Sequence, residues 1–145
     1  MNRSQWSGTT GHQFEWEFVA EFRSPWDGSY MPFRQALEVV RRNQPSQVVH
    51  DEGRRLLEAI AQELSVSVEE LKFFTAAGGN CALDWFHGID AFIDFRGLII
   101  PFDFKMRKAD TRRNVFFVRP SDVEEAFQSV VHDIAWFVRS KLARG

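Results

Sequence analysis

Two runs of apolar–polar alternation, residues 89–95 and 98–105, stand on either side of the dipeptide Arg96-Gly97. A period of two is the pattern of a half-buried strand, and a tight pair of residues between two such runs predicts a β-hairpin. In the first run Ile89, Ala91, Ile93 and Phe95 share one face, with Asp90, Phe92, Asp94 and Arg96 on the other. In the second, Leu98, Ile100, Phe102 and Phe104 oppose Ile99, Pro101, Asp103 and Lys105. A two-residue turn sets Phe95 opposite Leu98, Ile93 opposite Ile100 and Ala91 opposite Phe102. Slipping that register by one residue would set apolar side chains against polar ones along the whole pair, so it is strongly specified. Arginine is poorly suited to the first turn position, which allows a slightly longer loop. Pro101 has no N–H to donate and argues for an edge or a bulge.

The same register sets Asp90 directly across from Asp103, with Cβ atoms roughly 4.5–5.5 Å apart. Like charges at that separation are unfavourable unless one is protonated or a cation sits between them. Lys105 shares a face with Asp103 and supplies part of the compensation. A divalent ion would supply more, since hard carboxylate oxygens at this spacing suit Mg²⁺ or Mn²⁺.

The flanking segments predict mostly helix. Residues 34–43 read as a short helix stopped before Pro45, and 51–64 as a second, with Leu56, Leu57, Ile60, Ala61 and Leu64 along one stripe. Ser67 and Glu70 form a capping box that predicts a short helix to about Ala76, ended by Gly78-Gly79-Asn80. Residues 81–86 read as a strand. A basic stretch, Arg107 to Arg113, leads to the apolar run Val115-Phe116-Phe117-Val118. A second capping box, Ser121 and Glu124, opens a long helix to about Ala143 that buries Val123, Phe127, Val130, Val131, Ile134, Phe137 and Val138. Helices, then three or four strands, then a long helix predict an α+β or three-layer α/β domain, a small mixed sheet flanked by helices. It divides into an aromatic-rich segment (1–33), a helical part (34–77), the sheet (81–119) and the last helix (121–143).

Composition sets the outer bounds. With 145 residues, 44% hydrophobic and 26% charged, the chain predicts one ordinary soluble globular domain. Its single cysteine, Cys81, excludes an internal disulfide framework. No apolar run approaches the roughly 20 residues of a membrane span, and Met1 to Trp6 lack a signal-peptide pattern, so no membrane partner and a cytoplasmic location are expected. His12, His50, His87 and His132 have no zinc spacing among themselves or with Cys81. Fifteen Phe and five Trp stand against one Tyr, and Trp6, Phe14, Trp16, Phe18, Phe22, Trp26, Tyr30 and Phe33 crowd the start. The alternation of Phe14, Trp16 and Phe18 with Glu15 and Glu17 favours a covering strand or loop packed on the main body over a base-stacking surface.

Gly88-Ile89-Asp90, followed about a dozen residues later by Asp103-Phe104-Lys105, resembles the active-site signature of the PD-(D/E)xK nuclease superfamily, the restriction-endonuclease-like fold. The resemblance implies Asp90, Asp103 and Lys105 as catalytic residues. It implies Asp90, Asp103 and the main-chain carbonyl of Phe104 as ligands of Mg²⁺ or Mn²⁺. A preceding helix often adds a carboxylate in this family, for which Glu58 and Glu63 are candidates. The implied activity is metal-assisted phosphodiester hydrolysis, with a nucleic acid, taken as DNA, as partner. A second acidic-x-Lys triplet, Glu70-Leu71-Lys72, falls in an expected helix and is set aside. Between Arg96 and Arg119 seven basic residues meet two acids, a local charge of +5. Arg107, Lys108, Arg112 and Arg113 within it are candidate phosphate contacts. The competing expectation is a non-catalytic module on the same fold, binding a protein partner or forming a homodimer through its aromatic segment or its last helix.

Overall fold

The computed structural model describes residues 18–44, 50–104, 115–119 and 128–143. In chain order these form α1 (Phe33–Arg42), α2 (Asp51–Leu64), a 3₁₀ turn (Val68–Glu70), β1 (Lys72–Thr75), α3 (Ala82–His87), β2 (Ala91–Phe95), β3 (Leu98–Phe104), β4 (Phe116–Val118) and α4 (Gln128–Ala143). The four strands make one sheet in the order β1-β2-β3-β4; the first two pairings are antiparallel and β3–β4 is parallel. The fold is α+β with a small mixed sheet.

The hairpin forms in the expected register, pairing Phe95 with Leu98, Ile93 with Ile100 and Ala91 with Phe102. Arg96 (φ +53°) and Gly97 (φ +86°) both take the left-handed conformation that a two-residue type I′ turn needs, so no longer loop is used. For arginine that conformation is strained. Local contacts offset the strain: Arg96 pairs with Glu70 at 2.9 Å, its guanidinium lies 4.7 Å from the centre of the Phe95 ring, and the Gly97 N–H donates to Asp94 Oδ1. Pro101 precedes the ladder with β4, so on that side it stands at a local edge among the described residues, as expected, and not in a bulge. The strand alternation that pairs Phe95 with Leu98 turns the main-chain groups of even-numbered β3 residues toward β2 and those of odd-numbered ones toward β4. The missing N–H of Pro101 therefore falls on the β4 side, one residue before that ladder begins at Phe102 and Phe116.

Alternation also sorts the core into two layers. Ala91, Ile93, Phe95, Ile100, Phe102 and Phe104 pack with Leu56, Leu57 and Ile60 of α2 and Val130, Ile134 and Val138 of α4. On the opposite face Phe74 and Phe92 pack with Ala36, Leu37 and Val40 of α1 and Ala82 and Leu83 of α3. The entering chain rounds the end of the sheet between them. Phe18 belongs to the first layer, its ring stacked 4.6 Å from Phe104, and Phe22 belongs to the second. Thr75 Oγ1 donates to the Ala20 carbonyl at 2.7 Å and fixes the crossing. The outer edge of β1 is covered by Gln44, whose side-chain amide donates to Thr75 O and accepts from Thr75 N as a neighbouring strand would.

Two short segments differ from expectation. Ser67 and Glu70 do close a capping box, but the helix it opens is a single 3₁₀ turn, and Lys72–Thr75 is a strand. The aromatic pair Phe73-Phe74 is worth more across from Ile93 and Phe92 than on an isolated helix, so pairing with β2 decides the outcome. Glu70-Leu71-Lys72 therefore does not lie on a helix. Residues 81–86, expected as a strand, belong to helix α3. The long last helix is described over Gln128–Ala143, with Val130, Val131, Ile134 and Val138 buried as its spacing predicts. Trp6, Phe14, Trp16, the box at Ser121 and Glu124, Val123 and Phe127 lie outside the described residues.

Candidate functional site

Gly88 delivers Asp90 to the sheet. Its φ of +65° ends α3 in a left-handed (αL) cap, with the Gly88 N–H donating to Asp84 O at 3.0 Å and the Ile89 N–H to Leu83 O at 3.3 Å. Two residues later the chain is a strand. Asp90 itself is not a regular ladder residue. Its carbonyl accepts from the Ala76 N–H on the β1 side, whereas its N–H donates to Phe102 O on the β3 side, each at about 2.8–2.9 Å. Asp90 and Ala91 thus both lie against Phe102, as at a β-bulge. The expected direct opposition of Asp90 and Asp103 is corrected by this offset. The Asp90 carboxylate reaches across instead and accepts the Phe104 N–H at 2.9 Å, taking the place of a ladder carbonyl. It therefore bonds to the peptide joining Asp103 to Phe104. Asp90 and Asp103 are buried, at 5% and 2% exposure, a depth at which acids are rare.

A third carboxylate joins them from α3. Asp84 accepts the Gly79 N–H at 2.6 Å on Oδ2 and shares a hydrogen bond with the Asp90 side chain. Burial pushes its carboxyl above the usual carboxylate range, and the nearby charge of Asp103 adds to the rise, against the lowering effect of the Gly79 and Asp90 hydrogen bonds. Main-chain donors hold the cluster, the Gly79 N–H on Asp84 and the Phe104 N–H on Asp90. The approach is tight on the loop side, where Gly78 has φ +113° and a Cβ there would stand 2.6 Å from Glu21 Cγ.

The sign of the resulting pH dependence follows from the raised value. The folded protein retains the Asp84 proton at pH values where the unfolded chain, near the ordinary 3.8, has lost it. Stability from this group is therefore greatest in acid and falls as pH rises from about that value through the folded one. Asp84→Asn keeps an acceptor for Gly79 and gives Asp90 a permanent donor. In the presence of EDTA the variant is expected to melt several degrees above the parent at pH 7, with the gap closing toward pH 4. Thermal melts across that range measure it, and a variant that melts lower at pH 7 would contradict the arrangement.

The remaining candidates are distributed as follows. Glu58 and Glu63 are exposed on α2, which packs on the other face of the sheet from α3, and Glu63 pairs with Arg139 of α4 at 3.9 Å. The helix carboxylate of this cluster is Asp84, in a segment expected to be a strand. The pair of glycines at 78 and 79 five residues before an aspartate, with Gly88 closing the turn beyond it, is the sequence signal that could have found it. His87 donates from Nε2 to the Met31 carbonyl at 2.8 Å. Lys105, Arg107, Lys108, Arg112 and Arg113 lie outside the described residues. Among the described residues no three His, Cys, Asp or Glu side chains stand as a set that could hold a metal ion, and no helix is long and apolar enough to cross a membrane. Compared with protein-family models, with curated proteins and with solved structures, the chain matches none.

Proposed function

We propose that the chain is a divalent-metal-dependent phosphodiester hydrolase acting on DNA. The observation that carries this reading is the Asp90 carboxylate accepting the N–H of the peptide that joins Asp103 to Phe104, with both acids buried. Two buried carboxyl groups on neighbouring segments offer hard-oxygen donors. They suffice for Mg²⁺, which keeps several of its waters and completes its shell with substrate phosphate oxygens, so a preformed three-residue cage is not required. Asp90, Asp103 and the Phe104 carbonyl are the groups that would hold the ion. A bound ion supplies an activated water and neutralises charge on the phosphate. The chain's own residues do the placing: the Phe104 N–H fixes Asp90, and Asp84 fixes it from the other side. Lys105, two residues after Asp103, is assigned the role of orienting the attacking water, and Arg107, Lys108, Arg112 and Arg113 the role of holding the phosphate backbone.

A second reading, a non-catalytic module that binds a protein or a second copy of itself, is supported by different observations. Asp90 and Asp103 are nearly inaccessible, and Trp85 (68% exposed) and Trp136 (70%) present large apolar surfaces to solvent. One experiment separates the two. Supercoiled plasmid is incubated with the protein in 5–10 mM Mg²⁺ or Mn²⁺, with EDTA as control, at concentrations of that order typical for weakly held Mg²⁺. Hydrolysis predicts nicked circles that EDTA abolishes. Intact plasmid with either ion, together with a mass that rises with protein concentration, would replace the first reading by the second.

A further inference from the structure

The free edge of β3 borders a cavity. Because β4 begins opposite Phe102, the stretch Leu98–Pro101 has no strand on its side away from β2 among the described residues. A cavity of about 600 Å³ opens there, between α1 and α3 on one side of the sheet and the end of α4 on the other. That volume is in the range of small-molecule sites. Its walls are mostly apolar, including Phe33, Leu37, Ile99 and Phe137, and two cations, Arg34 and Lys141, stand among them. Neither cation makes an ion pair among the described residues, and no described Asp or Glu lines the space. The Lys141 ammonium stands over the face of the Phe137 ring, 5.7 Å from its centre. The main-chain alternation that turns odd-numbered β3 residues away from β2 aims the Ile99 N–H at the same open edge.

We propose that this cavity is a binding site for a small amphipathic anion, an apolar body carrying one carboxylate, sulfonate or phosphate-type group. The apolar walls take the body. Arg34 and Lys141, approaching from different helices, take the charged head, and the Ile99 N–H is placed to donate to it. His87 also lines the cavity, but its Nε2–H is spent on Met31, so it serves as wall. The site lies apart from the carboxylate cluster and uses none of its residues, so it does not depend on the hydrolase reading.

The test uses the metal-free full chain and two dyes of similar size. One, 8-anilinonaphthalene-1-sulfonate, carries the charge; the other, N-phenyl-1-naphthylamine, lacks it. Fluorescence titration is expected to show saturable binding of the sulfonate, weakened about tenfold or more in the double variant Arg34→Gln/Lys141→Gln, while the neutral dye changes by less than about twofold. Ile99→Phe, which fills the cavity, is expected to remove both signals with the near-ultraviolet circular dichroism intact. Absence of saturable sulfonate binding would overturn the proposal. So would sulfonate affinity unchanged in the double variant, or a parallel loss of both dyes in it, which would mean that the two cations act on the fold rather than on the ligand.

Discussion

Truncating Phe102 to alanine is expected to cost roughly 3–5 kcal/mol of folding stability, a drop in melting temperature on the order of 10–15 °C for a domain this size. Phe102 is the central residue of the larger core layer. It has no solvent exposure, and its ring lies 6.2 Å from Phe73 on β1, 6.3 Å from Phe104 and 6.4 Å from Phe116 on β4. The side chain therefore touches neighbours from both sides of its own strand, and these sit on backbones that hydrogen bonds hold in register. The space cannot collapse without breaking a ladder, which puts the cost at the upper end for aromatic truncation. Trp136→Ala is the contrast. It removes a larger ring, but one that is 70% exposed, and is expected to stay within about 0.5 kcal/mol. Urea or thermal unfolding of the two variants side by side checks the assignment. Equal losses, or a larger loss from Trp136, would place the core elsewhere.

The second large effect concerns Asp103. Asp103→Asn is expected to reduce metal-dependent nicking by more than about a hundredfold, because removing even an outer partner of a metal ligand commonly costs 10–100-fold and Asp103 is assigned as a ligand itself. The same change removes one negative charge from beside Asp84 and Asp90, and Coulomb repulsion among them is relieved. Its melting temperature at pH 7 in EDTA is therefore expected to equal or exceed that of the parent. Activity and stability move in opposite directions, which distinguishes a group kept for chemistry from one kept for packing. Nicking retained within tenfold would remove Asp103 from the mechanism, and a variant that unfolds would make it a structural residue.

How much of this was legible in the sequence depended on how far each element reaches for its determinants. The hairpin register could be read from the chain because both strands carry a complete period-two pattern and the turn between them is two residues long. Helices α1, α2 and α4 were legible from the spacing of their apolar residues, since each is long enough to show a period. Lys72–Thr75 and Ala82–His87 are four and six residues long, too short for either period to declare itself. The first became a strand through its partner β2, about twenty positions later in the chain. The second became a helix through its ends, where the Gly79–Asp84 contact starts it and Gly88 stops it. A strand over that segment would not present Asp84, the carboxylate that completes the cluster, as a helix residue. The bulge at Asp90 was equally hidden, because it arises from the Asp90 side chain taking over a main-chain bond to Phe104. Nothing in an alternating pattern announces that exchange.

Pro101 governs how far the sheet can grow. With no hydrogen to offer toward β4 at that position, Pro101 contributes no main-chain bond there, and the described ladder begins one residue later at Phe102 and Phe116. The margin of β3 before it, unpaired on that side among the described residues, is where the cavity between α1 and α4 lies. A single imino acid thus sets the point at which the described parallel ladder can start to collect main-chain bonds.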